Sequence, residues 1–342
     1  MKNYLKILHI DEHSITPKYV QLVNAFIAGI EHEHIVKDDL LPSINELSFG
    51  LDISRNTIER VYSELKNMGI VGSVPGKGFF ILDTQFKKPL KVLLLFNKLS
   101  SHKKIIYDAF VQTLGENAAI DFYIYNNDFY LFKKIITEKI KTDYSKFIII
   151  PQFMENEQSA NEIINNIPKE KLILMDKLLP EIKGDFGAVY EDFERDIYDA
   201  LTTLRTKLSG YQTLKIIFPK NTYYSSGIVR GFKNFCRDFA FDYEIIHDLQ
   251  AQHIQENTVY INLMEDDLVL LIQKILATNL IIGKNVGVIS YNETAIKKII
   301  LNGITTISTD FKMMGIKTAE MVLSNQNLHF AVPFTVNQRN SL

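Results

Sequence analysis

From residue 90 onward the chain alternates short apolar runs with amphipathic stretches, and that rhythm limits it to few folds. The runs are KVLLLF (91 to 96), DFYIY (121 to 125), FIII (147 to 150) and KLILM (171 to 175), then LKIIF (214 to 218), DYEII (242 to 246), TVYINL (258 to 263) and VGVIS (286 to 290). Between them lie helical patterns such as Ile105, Ile106, Ala109, Phe110 and Leu114, or Leu268, Leu271, Ile272, Ile275 and Leu276. Strands that are apolar throughout are buried on both faces, the property of a parallel sheet covered by helices on either side. Two groups of four runs, separated near Gly184 to Glu194, predict an α/β body of two lobes with parallel sheets.

Composition narrows the function classes. The 342 residues suffice for about two domains, and 46% hydrophobic with 23% charged residues excludes disordered, collagen-like and disulfide-rich chains. The single cysteine, Cys236, allows no internal disulfide and no Cys-based zinc cluster, and it sits in an apolar helix pattern with Ile228, Phe232 and Phe235 as a structural thiol. The opening MKNYLKILHIDEHS is broken by Lys6 and His9 and is no secretory signal. The longest apolar region, Leu268 to Ile282, is interrupted by Gln273, Lys274, Thr278 and Asn279, short of the ~20 residues that span a bilayer. A cytoplasmic protein without a membrane partner is expected. No G-x-S-x-G, H-E-x-x-H or GxxxxGK[ST] string occurs, and His32 with His34 are too few for a metal. The expectation is therefore no enzyme, no catalytic residue, no cofactor and no metal.

The first eighty residues read differently. Tyr19, Leu22, Val23, Phe26, Ile27 and Ile30 make one helical stripe after Pro17. In LPSINEL, Ser43 and Glu46 are spaced as a capping box that starts a second helix. After Phe49-Gly50-Leu51-Asp52, Ser54 caps a third helix bearing Ile58, Val61, Tyr62, Leu65 and Met68, with Gly69 as its stop. Short helices joined by a tight turn spell helix-turn-helix. Ile70 and Val71, the turn Pro75-Gly76-Lys77-Gly78 and Phe79-Phe80-Ile81 then form a hairpin, the wing of an α+β winged helix-turn-helix. The third helix exposes Arg55, Asn56, Thr57 and Arg60, in the turns that meet base edges in the major groove. The predicted division is a DNA-binding domain over 1–82, a linker over 83–89 (DTQFKKP) and a two-lobed effector domain over 90–342.

The string from Pro17 to Ile81, with LPSINEL, SRNTIERVYSELKNMGI and GKGFFI at these spacings, resembles the GntR-family DNA-binding domain. The resemblance implies a homodimer on a pseudo-palindromic operator in double-stranded DNA. It implies contacts from Ser43, Asn45, Ser54, Arg55, Asn56, Thr57 and Arg60 and from the wing residues Gly76, Lys77 and Gly78. Many family members carry Arg where this chain has Asn45 and Glu59. Charge points the same way: residues 1–88 hold ten Lys and Arg against eleven Asp and Glu. DNA affinity is expected to rest on Arg55, Arg60, Lys77 and on dimerisation, since linked half-sites act at high effective concentration.

Residues 90 to 323 resemble the periplasmic-binding-protein-like sensor of LacI-type regulators. The anchors are GKNVGVISYNETAIKKIILNGITTISTDFKMMGIKTAEMVL (283 to 323) and SSGIVRGFKNF (225 to 235). In such sheets ligands sit beyond the carboxyl ends of the strands. The candidates are Ser101, Asn126, Asp128, Gln152, Phe153, Asp176, Tyr190 and Glu191, then Tyr223, Tyr224, Asn262, Tyr291 and Asn292, with Ser100, His102, Lys177 and Glu293 nearby. Amides, carboxylates and aromatic rings suit sugar hydroxyls and ring faces. Where LacI-type sensors often carry a ligand-gripping Arg, this chain has Ile228, with Arg230 on another face. The architecture implies a carbohydrate-responsive regulator, a repressor of the kind that senses a monosaccharide such as L-fucose. A nucleobase or amino-acid effector, or a sugar-binding module with a weakened head, remain the alternatives.

Overall fold

The computed structural model describes residues 4–12, 14–76, 78–84, 90–115, 118–220 and 222–342. The head is built on three helices. Pro17 precedes α1 (Lys18–Glu31), which buries Leu22, Phe26, Ile27 and Ile30. The Ser43–Glu46 capping box forms in both directions, at 3.2 and 2.7 Å, and starts α2 (Ile44–Leu51). Ser54 caps α3 (Arg55–Asn67), which buries Ile58, Val61, Tyr62 and Leu65 against α1. Gly69 beyond its end holds φ +73°, a left-handed conformation that favours glycine. The wing strands β1 (Val71–Val74) and β2 (Gly78–Ile81) pair antiparallel, and Leu40 bridges to Phe80 on the outer side. Of the expected linker, Gln85 to Pro89 lie outside the described residues, while the Asp83 N–H still points at the Ile70 carbonyl at 3.4 Å.

The first lobe runs β3 (Leu90–Phe96), α4 (Ser101–Leu114), β4 (Ala118–Ile124), α5 (Phe129–Lys139), β5 (Lys146–Ile149), α6 (Glu157–Asn165), β6 (Leu172–Asp176) and β7 (Gly187–Tyr190). The second runs α7 (Phe193–Thr203), α8 (Arg205–Leu208), β8 (Thr213–Ile217), α9 (Ser226–Asp238), β9 (Asp242–Ile246), β10 (Thr258–Asn262), α10 (Glu265–Leu276), β11 (Val286–Tyr291) and β12 (Thr305–Thr309). The chain then returns to the first lobe with α11 (Phe311–Ser324) and β13 (His329–Ala331), and ends in the second with β14 (Phe334–Asn337). The sheet orders are β13-β7-β6-β5-β3-β4 and β14-β12-β11-β10-β8-β9.

Each lobe therefore has six strands among the described residues where the apolar runs predicted four. The strands at 187–190, 305–309, 329–331 and 334–337 carry no long apolar run. The sheets are parallel with one exception, because β14 runs antiparallel to β12. Three crossings join the lobes, after β7, β12 and β13. At the second, α11 lies so close on α4 that a Cβ at Gly315 would sit 2.4 Å from the Ile106 carbonyl oxygen. No described helix is long and apolar enough to cross a membrane.

Asp11 and residues 14–16, ahead of α1, reach β4, the edge strand of the first lobe. The Ile15 N–H donates to the Phe122 carbonyl at 3.1 Å, and the Phe122 N–H donates to Thr16 Oγ1 at 2.7 Å. Asp11 accepts from the Tyr123 hydroxyl at 2.8 Å and from Lys139 at 2.9 Å. An open sheet edge exposes unpaired donors and acceptors, and here the approach to the head satisfies them.

Candidate functional site

The head presents one exposed polar face. Ser54 Oγ accepts from the Thr57 N–H at 3.3 Å and lies 2.8 Å from the Thr57 hydroxyl, holding the start of α3. Asn56 stands exposed beside them. Arg55 Nε donates to Glu59 at 3.0 Å, with side chains 64% and 46% exposed. Such an exposed pair is weak, so it offsets the charge of Arg55 without pinning the guanidinium. Arg60 is placed elsewhere. Its guanidinium lies 3.7 Å over the Tyr19 ring and donates to the Tyr19 hydroxyl at 2.9 Å, tying α3 to α1. Asn45 and Ser43 are exposed at the start of α2, and Ser43, which accepts in the capping box, keeps its hydroxyl proton for a phosphate. At the wing tip Gly76 and Gly78 hold φ 79° and 86°; Lys77 lies outside the described residues.

Between the lobes a cavity of about 280 Å³ opens at the carboxyl ends of the strands. Ser100, Ser101, His102 and Lys103 reach it from the first turn of α4, with Lys98 just before them. Gln152, Asp176 and Glu191 follow β5, β6 and β7. The far wall holds Tyr223, Tyr224, Ile228, Tyr291, Asn292 and Lys297, and Phe193 and Phe311 stand at two of the crossings.

A buried network organises the first-lobe side. Lys103 pairs with Asp176 at 2.8 Å, and Gln152 donates to the same carboxylate. Asn97 donates to Gln152 at 3.1 Å and to Asn127 at 2.8 Å. Burial, then the charge of Asp176 and a hydrogen bond to it, push the Glu191 carboxyl well above the usual carboxylate range. Burial, then Lys297 and Lys103, pull His102 down to about 4, leaving a neutral imidazole. Burial also pulls Lys297 down to about 8, against the opposing pull of Glu265 and Glu293. The tyrosine rings 223 and 224 lie 4.8 Å apart. His102 Nε2, the Tyr291 hydroxyl and Asn292 Oδ1 are buried atoms without a hydrogen-bond partner, and all three residues line the cavity. Buried polar groups are normally satisfied, so these three atoms leave bonding capacity that a polar molecule in the cavity can complete.

Residues 18–81 match the family described as "Bacterial regulatory proteins, gntR family". The head is a GntR-type helix-turn-helix domain. It is 42% identical over 76 residues to the HTH-type transcriptional regulator YhdI of Bacillus subtilis, and 33% identical over 70 residues to YhcF of the same organism. The matched segments cover 22% and 20% of this chain and 16% and 58% of those proteins. The GntR-type head is thus joined to a body of a different kind. The chain superposes on the Lac repressor bound to ONPG with TM-score 0.62 at 15% identity, covering 84% of this chain and 90% of that one. The trehalose repressor of Escherichia coli gives TM-score 0.60 at 12% identity, over 73% of this chain and all of that one. At such identities the likeness shows the fold, which is that of LacI-type sensors.

Behind the GntR-type head, Ser101, Gln152, Asp176, Glu191, Tyr223, Tyr224, Tyr291 and Asn292 converge on the cavity. Five other candidates do not line it. Asn126 turns the chain with φ 51°, and Asp128 caps α5 by accepting from the Tyr130 and Leu131 N–H groups at 2.7 and 3.1 Å. Phe153 is buried against Tyr125 and Phe132. Tyr190 packs on the first-lobe core near His329. Asn262 is wholly buried and donates to the Met264 carbonyl at 2.8 Å. Glu293 is taken by Arg339 in a two-pronged pair at 2.9 and 3.0 Å. Arg230 points away, to Glu194 at 2.8 Å, while Ile228 lines the cavity. The residues that sequence reasoning missed are the cations Lys98, Lys103 and Lys297. The first two lie within the stretch after β3 and follow from the same strand-end rule; Lys297, in the run IKKII, has no signal, because lysine is rarely buried.

Proposed function

We propose that the chain is a homodimeric transcriptional regulator, a repressor, whose GntR-type heads grip a pseudo-palindromic operator and whose cleft senses a monosaccharide. The observation that carries this reading is the cavity between the lobes: orphaned polar atoms of His102, Tyr291 and Asn292 stand beside the planes of Tyr223, Tyr224, Phe193 and Phe311. Hydroxyls need the former and sugar C–H faces the latter. Two of the similar folds are named as repressors, one of them for trehalose.

The DNA contacts belong to Ser43, Asn45, Ser54, Arg55, Asn56, Thr57 and the wing from Gly76 to Gly78, with Arg60 in a supporting place behind them. The effector contacts belong to the eight converging residues together with His102, Lys103 and Lys297. A ligand that closes the lobes shifts their relation, and residues 14–16 on β4 carry that shift to the head. A coupling of about 1–3 kcal/mol is typical for such regulators. The test is a thermal-shift screen of the full chain against monosaccharides, L-fucose among them, with purines and amino acids in parallel. Stabilisation by a sugar supports the reading; stabilisation by purines or amino acids alone overturns the carbohydrate assignment.

A further inference from the structure

We propose that the end of the cleft at the first turn of α4 is an oxyanion subsite, and that the monosaccharide sensed here carries a phosphate or carboxylate group. This inference rests on the cleft being the effector site. It starts from three lysines that line the cavity from both sides, Lys98, Lys103 and Lys297, whose charges all bear on His102. Among the described residues, Lys103 alone of the three makes an ion pair, with Asp176 at 2.8 Å.

The other two cations are held by neutral groups. The Lys297 side chain is buried, 1% exposed, and its ammonium donates to the main-chain carbonyls of Tyr291 at 2.9 Å and Asn292 at 2.8 Å. Carbonyls satisfy N–H groups but do not neutralise a charge, and an ammonium buried without a counter-ion is costly. Glu265 and Glu293 act on Lys297 only at longer range, and among the described residues neither makes an ion pair with it. Glu265 and Asp266 do line the cavity, from the first turn of α10. Lys98 lies 4.3 Å from the Tyr223 ring centroid and donates to its hydroxyl.

The backbone adds to the same field. Ser100 caps α4, a helix of 14 residues whose first turn lines the cavity, and the free N–H groups of a helix start favour an anion. His102, neutral, has a buried Nε2 with no partner; as the Nε2–H tautomer it donates to an anion oxygen. The Tyr291 hydroxyl, 2% exposed and without a partner, is a further donor on the cavity lining. Two ammonium groups without an ion pair among the described residues, two unused neutral donors and a helix start fit an oxyanion, whose contacts would be charge-assisted.

The test titrates the full chain with inorganic phosphate and, separately, acetate, against chloride at equal ionic strength, and reads the melting temperature. Saturable stabilisation by one of them is expected, and which one responds tells a phosphorylated sugar from a sugar acid. The half-saturating concentration should rise at least fivefold in Lys297→Met and in Lys98→Met, and stay put in Lys104→Met, whose partner is Asp108 on the outer face of α4. Lys98 is only half-buried, so its variant keeps the test valid if Lys297→Met does not fold. Absence of a saturable response to both anions, or one unaltered in both cleft variants, overturns the subsite. The monosaccharide screen reads the parent proposal separately: stabilisation by a neutral sugar without an anion response leaves the sensor reading standing and removes the anion.

Discussion

Lys103 and Asp176 meet at 2.8 Å with side chains only 7% and 3% exposed, fastening the first turn of α4 to the end of β6. Removing one partner of a buried pair strands the other charge, at a cost of about 3–5 kcal/mol. Lys103→Met should lower stability by that order in chemical denaturation. The double variant Lys103→Met/Asp176→Leu should recover most of it, since apolar replacement of a whole buried pair is often tolerated. A double variant as unstable as the single one would show that the pair is not the source of the loss.

Asp196, on α7, has a buried carboxylate oxygen without a partner. Burial, then the neighbouring Asp192, push its carboxyl up to about 7. The folded state holds this proton more tightly than the unfolded one, so the associated stability is full below about pH 4 and is lost as the pH rises through about 7. Asp196→Asn should therefore stabilise by roughly 1–3 kcal/mol at pH 8 and by almost nothing at pH 4. Thermal melts of both proteins across that range check it; an equal effect at both ends would count against the buried carboxyl as the cause.

Glu59 sits one turn from Arg55 and offsets it at 3.0 Å. Glu59→Gln should free the guanidinium and remove a negative charge facing phosphates, raising DNA affinity several-fold. Arg55→Ala should weaken binding and flatten its salt dependence, because fewer counterions are released. Fluorescence anisotropy over a salt series reads both.

Asp11 and Thr16 hold the chain ahead of α1 to the first lobe, at β4 and at Lys139. Asp11→Ala with Thr16→Val should loosen this attachment while the lobes keep their packing. Faster proteolysis near residues 10–17, with an unchanged sensor melt, is the expected result; unchanged proteolysis would separate the attachment from these two side chains.

What could be read from sequence follows local physics. Ser43 with Glu46, and Ser54 before an apolar stripe, announce helix starts because capping depends on residues three apart. Apolar runs announce eight strands, β3 to β6 and β8 to β11, for the same local reason. The strand at 305–309, TTIST, escapes that logic: Thr305 and Thr306 are fully buried, yet satisfied by distant partners, Thr305 by Arg339 and Ser341 and Thr306 by Glu293 and Asn337. The tail that satisfies them is adjacent only in the fold. The strand-end rule finds Gln152 and Asp176 but misplaces Asn126 and Asp128, since a strand end supplies both cleft residues and the turn that starts the next helix. Lys297 lies on a short helical turn between β11 and β12, where only tertiary packing makes a lysine part of a wall.

In the proposed regulator one chain couples DNA binding at α3 to occupancy of the cleft. The most direct measurement selects the preferred operator from random duplexes, then follows anisotropy of that operator with the full chain, with and without a ligand found by thermal shift. The account predicts salt-dependent, sequence-selective binding that Arg55→Ala removes, and a five- to 150-fold change in affinity on adding ligand, matching a coupling of about 1–3 kcal/mol. Binding of equal strength to all sequences and unchanged by Arg55→Ala, or selective binding indifferent to a ligand that occupies the cleft, would contradict it.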